Sequence, residues 1–187
     1  MKFHLRRVLG EATTNFEELD TLLKGIEACL NSRPICPERT DPNDLSAITP
    51  GHFLIGEPLV AVPDLDLTQL KQNTLSRWQR IQQMRRHFWN RWKDEYLCQL
   101  QRRVKWMKPQ PNLKTGDMVV IKEENLPPQN WRLGRVTEVH VDPTDEKALV
   151  RAVTVRTANG ILKRPINKLV LLPGCEKEDE EGTSDSV

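Results

Sequence analysis

Apolar side chains recur at three- and four-residue intervals through the middle of the chain, between Thr74 and Lys108. This spacing is that of one face of an α-helix, and neither Gly nor Pro interrupts it before Pro109. The pattern predicts a single helix from Ser76 to Lys105, about 45 Å long at 1.5 Å per residue. Its apolar face comprises Trp78, Ile81, Phe88, Trp89, Trp92, Tyr96 and Leu100.

Two helices are predicted at the start of the chain. Met1–Leu9 has the apolar spacing of a short helix but no N-cap. Thr14 and Glu17 then fit a capping box, in which the hydroxyl accepts a backbone amide and the carboxylate reaches back. Apolar residues follow at helical spacing, which predicts a helix to about Asn31, ended by Pro34.

A further helix is predicted after Thr49-Pro50, an N-cap followed by Pro at the first helical position. No strand is predicted in residues 1–70, so the helices have no sheet to pack on. Their apolar stripes need a partner layer, and the sequence does not show an obvious one in this chain. The apolar side of this helix consists of Phe53, Leu54 and Ile55.

Residues 109–173 have the short apolar segments and turn signals of a β-domain. Asn159-Gly160 predicts a two-residue hairpin turn of type I′, and a change of apolar phase across Gly134 predicts a bulge or sharp bend. Five short, bent strands are typical of a small SH3-like barrel. The predicted strands are Met118–Lys122, Trp131–Val141, Leu149–Thr157, Ile161–Arg164 and Lys168–Leu172.

The net charge of +2 conceals a strong segregation along the chain. Residues 1–69 carry −5, residues 70–107 carry +8, residues 108–173 carry +4, and the tail from Gly174 carries −5. The tail is too polar and charged to fold and is predicted to be disordered. Local charge governs attraction for phosphate more than total charge does, so the middle of the chain favours a polyanionic partner.

Basic side chains of the long helix and of the barrel are the candidates for phosphate contacts, which would be salt-dependent and largely independent of base sequence. The helix aromatics are interpreted as packing residues, because they lie along one stripe. A solvated amphipathic helix and a membrane-surface helix are the alternatives. The candidates are Arg77, Arg80, Arg85, Arg86, Arg91, Lys93, Arg102, Arg103 and Lys105 on the helix, and Arg132, Arg135, Arg151, Arg156, Lys163 and Arg164 in the barrel.

Catalytic, metal and cofactor chemistry find little support in the sequence. The four His residues are isolated from one another, and no Ser or Cys occupies a nucleophile motif. Asp64 and Asp66 lack a third metal ligand, and no cofactor is predicted. Four dispersed cysteines without a CxxC favour free thiols. No apolar run approaches a membrane span or a signal peptide, so the nucleus or cytoplasm is the expected location.

Five segments occur in the order IEACLNSRPI, DLSAITPGHFLIGEPL, RWQRIQQMRRHFWNRWKDEYLCQLQRRVKW, GDMVVIKEENLPPQNWRLGRV and VRTANGILKRPINKLVLLP. Together they resemble the integrase C-terminal portion of BEL/Pao-type LTR retrotransposon polyproteins, from about Met1 to Pro173. The resemblance implies an α+β fold in four parts. These are C-terminal helices of a truncated ribonuclease-H-like core (1–70), a basic linker helix (71–108), an SH3-like five-stranded β-barrel (109–173) and a disordered acidic tail (174–187).

The resemblance also implies a function related to DNA integration. The family's three acidic metal ligands belong upstream of a segment like MKFHLRRVLG, and Glu11, Glu17 and Glu18 do not match them. The expectation is therefore a non-enzymatic integrase fragment that binds DNA non-specifically through its phosphates. A protein-interaction or oligomerisation module, which would associate with itself or with an integrase core, and a non-functional pseudogene product remain alternatives.

Overall fold

The computed structural model describes residues 2–10, 12–39, 41–61, 64–101, 112–141 and 150–173. Within these residues the fold is α+β, with four α-helices and a five-stranded antiparallel sheet. The helices are α1 (Lys2–Leu9), α2 (Phe16–Asn31), α3 (Pro50–Ile55) and α4 (Arg77–Leu100). The strands are the short pair β1 (Cys36–Pro37) and β2 (Ala47–Ile48), and the sheet strands β3 (Met118–Ile121), β4 (Leu133–Val141), β5 (Val150–Thr157), β6 (Gly160–Pro165) and β7 (Leu169–Leu171).

Helix α4 confirms the central prediction and begins with a full capping box. The Ser76 side chain accepts the Gln79 backbone amide, and the Gln79 side chain accepts the Ser76 amide. The helix ends at Leu100, and the side-chain Nε2 of Gln101 then donates to the carbonyls of Asn167 and Leu169. These two bonds tie the end of α4 to the sheet. The predicted extension to Lys105 lies outside the described residues.

Helices α1 and α2 do have a partner layer, contrary to the expectation from sequence. Both pack on α4, where Leu22 and Ile26 of α2 form one buried cluster with Met84 and Phe88. Ion pairing of Arg77 with Glu18, and the packing of Gly25 beside Arg85, show that α2 and α4 run side by side in the same direction. The basic helix α4 is therefore the layer on which α1 and α2 pack.

The cap of α2 lies one residue later than predicted. Asn15, not Thr14, is the N-cap: its side chain accepts the Glu18 amide at 2.8 Å, and Glu18 accepts the Asn15 amide at 3.1 Å. The predicted pair, Thr14 and Glu17, and the observed pair, Asn15 and Glu18, have the same three-residue spacing. Helix α2 starts at Phe16, so only the second pair fits the start.

Helix α3 is present, and Thr49 is its N-cap as predicted. The Thr49 amide donates to Nδ1 of His52 at 3.0 Å. The prediction of no strand before this helix was wrong, since β1 pairs with β2. The apolar residues of α3 do not enter a core: Phe53, Leu54 and Ile55 are 78%, 64% and 61% exposed.

The sheet has the strand order β6-β5-β4-β3-β7, and all neighbours are antiparallel. One face forms a core with Val119, Val136, Val153 and Val155. The opposite face, which includes Met118, packs against Leu97 of α4 in a second core. The sheet therefore sits on the C-terminal half of α4, while α1 and α2 cover another side of the same helix.

The predicted closed barrel is not formed by the described residues. Strands β6 and β7 are the two edges of the sheet, and no hydrogen-bonded ladder between them is found in the described ranges. A 3-10 turn at Ile166–Lys168 separates them along the chain and contacts both β5 and β7.

Two local predictions in the sheet require correction. The register of β4 shifts between Val136 and Glu138 and again between His140 and Val141, not at Gly134, which is paired regularly with Val119 and Thr157. Gly134 instead permits close strand approach, because an added Cβ would collide with Val155. The β5–β6 hairpin is confirmed, but its turn residues are 158–159. A type I′ turn needs positive φ twice, and here only Gly160 has it, at +124°.

Candidate nucleic-acid interface

Three side chains on one face of α4 donate hydrogen bonds to backbone carbonyls of the β3–β4 loop (residues 122–132). Arg86 donates to Asn125 O at 3.4 Å, Trp89 Nε1 to Leu126 O at 3.1 Å, and Lys93 Nζ to Glu123 O at 2.9 Å. The donors are three and four residues apart, which places them on one side of a helix. Arg86 also pairs with Asp66 at 3.0 Å.

The two cations among these donors, Arg86 and Lys93, are almost completely buried. Arg86 is 6% exposed and Lys93 is 3% exposed. Burial lowers the pKa of Lys93 from its ordinary value, with nearby Arg86 and Lys122 acting in the same direction. A phosphate cannot reach either side chain without opening the contact between α4 and the loop. Both were sequence-predicted phosphate contacts, and their positions identify them as internal donors.

Three more candidates are bound within the chain. Arg85 pairs with Asp64 beside Gly25, where an added Cβ would lie 2.8 Å from the Arg85 side chain. Arg132 makes a bidentate pair with Glu123 at 2.8 and 2.9 Å. Such pairs neutralise the guanidinium charge, which leaves less of it for a phosphate.

Arg135 has another role, because its partners are neutral. It donates to the backbone carbonyls of Asp44 at 2.9 Å, Gly116 at 3.0 Å and Arg39 at 2.6 Å. It is 6% exposed and connects β4 to the segment that precedes α3. Its side chain is therefore not accessible to a phosphate.

The remaining described candidates are not buried. Arg91 and Lys163 are exposed, and Arg80 and Arg164 are half-buried. Arg77 is exposed and lies 3.8 Å from Glu18. The candidates Arg102, Arg103 and Lys105 lie outside the described residues.

The β5–β6 hairpin brings basic residues together at an open edge of the sheet. Lys163 of β6 lies opposite Thr154, and Arg156 lies opposite Ile161, so Lys163 and Arg156 are diagonal neighbours on one face. Among the described residues, Arg156 donates to two neutral groups, Asn43 Oδ1 at 2.7 Å and Pro42 O. Residues 150–173 contain five basic and no acidic side chains. We call this set the basic hairpin; it comprises Arg151, Arg156, Lys163, Arg164 and Lys168.

Comparison with known families identifies one family model, and its match covers α4 and the sheet. A family model described as a family of unknown function, DUF5641, matches residues 76–172. The chain belongs to the DUF5641 family. The DUF5641 segment runs from the N-cap of α4 to the residue after β7, so it contains the helix and the whole sheet. Neither the curated proteins nor the solved structures provide a significant match.

An aromatic cluster joins the DUF5641 segment to the residues before it. Trp131 makes edge contacts with Trp89 at 4.8 Å, Trp92 at 6.0 Å and Tyr96 at 5.7 Å. Trp131 also donates to Ser32 Oγ at 3.2 Å. These rings are therefore packing residues, as the stripe predicted. Trp78 differs from them, since it is 57% exposed.

A cleft of about 640 Å³ lies between the DUF5641 segment and the α3 region. Its walls are mainly apolar and include Pro34, Leu59 and Trp131, with His52 at one side. The described residues contain no group of three His, Cys, Asp or Glu side chains arranged to hold a metal ion. Among the described helices, none combines the length and apolarity needed to span a membrane.

Lys168 is the member of the basic hairpin that sequence reasoning missed. It is exposed in the turn after β6. The signal that would have found it is the absence of any Asp or Glu from residues 150–173, where five basic residues occur. The charge count over residues 108–173 hid this feature, because all acidic residues of that range precede residue 150.

Proposed function

We propose that this chain binds nucleic acid non-specifically, in the nucleus or cytoplasm, by contacts between the basic hairpin and backbone phosphates. The observation that carries the proposal is the segment 150–173, which includes the edge strand β6 and contains five basic and no acidic side chains. Lys163 and Lys168 of this segment are exposed, and Arg156 and Arg164 are half-buried. Lys and Arg at such a surface bind phosphate with an affinity that falls as salt rises. The proposed contact is on the sheet, not on α4, because the α4 cations Arg85, Arg86 and Lys93 are bound internally.

The integrase resemblance supports the same role and gives it a context. In this proposal α1–α3 are the closing helices of a ribonuclease-H-like core, α4 is the linker helix, and the curved sheet is an SH3-like domain. Helix α4 would hold the DNA-binding sheet at a fixed position relative to that core. Its hydrogen bonds to the β3–β4 loop suit a rigid connector.

We propose no catalytic step for this chain. Two-metal phosphoryl chemistry needs carboxylates gathered around the ions. Asp64 and Asp66, the pair considered from sequence, are instead bonded to Arg85 and Arg86. Metal-dependent strand transfer by the purified chain would contradict this part of the proposal.

The binding proposal is tested with fluorescently labelled duplex DNA of random sequence and a salt series. The variant Lys163→Ala/Arg164→Ala removes two phosphate contacts. The slope of log affinity against log salt should become less steep by about 1.8, at about 0.9 per contact. The matched control Arg77→Ala/Arg91→Ala removes the same charge from exposed positions of α4 and should leave the slope nearly unchanged. An unchanged slope in the hairpin variant, or an equal change in the control, would refute the assignment.

A protein-interaction role is the second candidate, and the exposed apolar residues of α3 favour it. Phe53, Leu54 and Ile55 form a row that no described part of the chain covers. In an integrase such a row would contact the rest of the core or a second copy. Light scattering of the wild type and of Phe53→Ser tests for self-association through α3. Self-association through this row would weaken in the variant, and a monomeric wild type would exclude it.

A further inference from the structure

A carboxylate lies on the same face of the sheet as the exposed lysine of β6. Glu138 of β4 is paired with Thr154 of β5, and Thr154 is paired in turn with Lys163 of β6. Directly opposed residues of neighbouring strands project from one face of a sheet. Glu138, Thr154 and Lys163 therefore form a row across three strands that ends at the sheet edge.

Hydrogen bonds within this row have a defined direction. The Thr154 hydroxyl lies 3.4 Å from Oε2 of Glu138 and 2.7 Å from Nε2 of His140. An ionised carboxylate only accepts hydrogen bonds, so the hydroxyl donates its single proton to Glu138. The hydroxyl must then accept from His140, whose Nε2 carries a proton. This chain of donors ends on the Glu138 carboxylate.

Glu138 is held loosely at the end of this chain of donors. Its side chain is 67% exposed, and its Oε2 lies 3.8 Å from Nε2 of His140, which is too long for a hydrogen bond. The bond from Thr154 is also longer than the usual O–H···O distance of about 2.7 Å. Displacing the Glu138 side chain therefore breaks one weak bond and does not open either core of the sheet.

The groups that remain when Glu138 moves away are donors suited to phosphate. Threonine hydroxyls and lysine ammonium groups are common contacts of phosphate oxygens in protein–nucleic-acid complexes, and the Nε2–H of His140 is a further donor. Thr154 and His140 are half-buried and held on adjacent strands, whereas Lys163 is exposed. The carboxylate thus occupies the position where a phosphate oxygen would accept from Thr154.

We propose that Thr154, His140 and Lys163 form a phosphate-binding site, which Glu138 occupies in the free chain and leaves when a phosphate binds. The inference rests on the proposed function only for the source of the phosphate, a nucleic-acid backbone. It adds two uncharged contacts and one competing carboxylate to the cations of the basic hairpin. The carboxylate keeps affinity for a single phosphate low, whereas a duplex that is held at other cations as well displaces it.

The first experiment measures affinity for labelled duplex DNA of random sequence in a salt series. Glu138→Gln should bind about two- to fivefold more tightly than the wild type, because binding no longer displaces a charged acceptor. Thr154→Val keeps the β-branched shape and should bind about threefold more weakly. Its salt slope should be unchanged, because a hydroxyl releases no counterion. The control Glu57→Gln removes an exposed carboxylate after α3 and should bind like the wild type.

The double variant Glu138→Gln/Thr154→Val separates direct competition from general repulsion. If Glu138 competes for the Thr154 hydroxyl, the gain from Glu138→Gln should be smaller in the Thr154→Val background, where no hydroxyl is freed. An undiminished gain there, or an equal gain in Glu57→Gln, would overturn the inference, since either result would show that only net charge matters.

The second experiment replaces DNA by inorganic pyrophosphate and follows backbone amide shifts by NMR, so it is independent of the proposed function. Saturable shifts at Thr154 and Lys163 should occur at about two- to fivefold lower pyrophosphate concentration in Glu138→Gln than in the wild type. Absence of these shifts in Glu138→Gln would overturn the site. Pyrophosphate binding without duplex binding would support the site and refute the proposed function. Duplex binding that neither Glu138→Gln nor Thr154→Val alters would refute the inference and leave the proposed function standing.

Discussion

Helix α4 and the segment containing the basic hairpin are equally long and similarly basic, yet they use their charges differently. Helix α4 has 24 residues with six basic side chains, and residues 150–173 number 24 with five. In α4, half of these cations bind carboxylates or carbonyls inside the fold. In the hairpin, Lys163 and Lys168 remain exposed. A count of basic residues therefore does not locate a phosphate-binding surface.

The difference follows from how many sides of each element are covered. Helix α4 is surrounded by α1, α2, the β3–β4 loop and the sheet, so even polar positions meet protein. Strand β6 is an edge strand, and charged residues at a sheet edge also discourage unwanted strand pairing. Protection of the sheet edge therefore also explains the charges of Lys163 and Arg164, so their binding of phosphate must be tested directly.

The largest expected effect concerns the internal side of α4. Trp89→Ala should lower the free energy of unfolding by about 3–5 kcal/mol, because it empties a fully buried site and removes the bond to Leu126 O. Trp78→Ala, at an exposed position of the same helix, is the control and should cost less than about 1 kcal/mol. Urea unfolding measures both. Similar losses in the two variants would contradict the burial pattern.

A smaller effect is expected at Arg86. The change Arg86→Ala should cost about 1–3 kcal/mol, since it leaves the Asn125 carbonyl without this donor and removes the partner of Asp66. Arg91→Ala, which removes an exposed cation five residues further along α4, should change stability by no more than about 0.5 kcal/mol. If Arg91→Ala were the more destabilising variant in urea, α4 would be oriented differently from the arrangement described above.

The smallest effect is a difference in thiol reactivity. Cys29 is buried on α2 and Cys98 is exposed on α4. Burial raises the pKa of the Cys29 thiol to about 12, with Arg85 opposing the shift. At pH 8 Cys29 should therefore remain a protonated thiol and react with a maleimide only through unfolding, whereas Cys98 should react directly. Rapid labelling of Cys29 in the folded chain would show that α2 does not pack on α4.

Local features of the fold were predictable because they depend on neighbouring residues. The start of α4 at Ser76, the Thr49 cap and the β5–β6 hairpin follow from spacing within a few positions. The same reasoning misplaced the α2 cap, because Thr14 and Asn15 both have a Glu three residues later. Only the start of the helix at Phe16 distinguishes them.

The internal role of the cations was not predictable, because their partners are distant in sequence and mostly backbone. Lys93 bonds a carbonyl 30 residues away, and Arg135 bonds one 91 residues away. Main-chain carbonyls leave no signature in composition or charge. For the same reason, the packing of α1 and α2 on α4 could not be deduced from apolar stripes that were equally consistent with a missing sheet.

Lysine acetylation with and without duplex DNA tests the central claim most directly. Lys24, 72% exposed on α2, should react equally in both conditions, and Lys93 should stay unreactive in both because it is buried. Lys163 and Lys168 should react in the free protein and be protected by DNA. Protection of Lys24 without protection of Lys163 and Lys168, or ready acetylation of Lys93 in the folded protein, would contradict the assignment of Lys93 to the interior and of Lys163 and Lys168 to the nucleic-acid-binding surface.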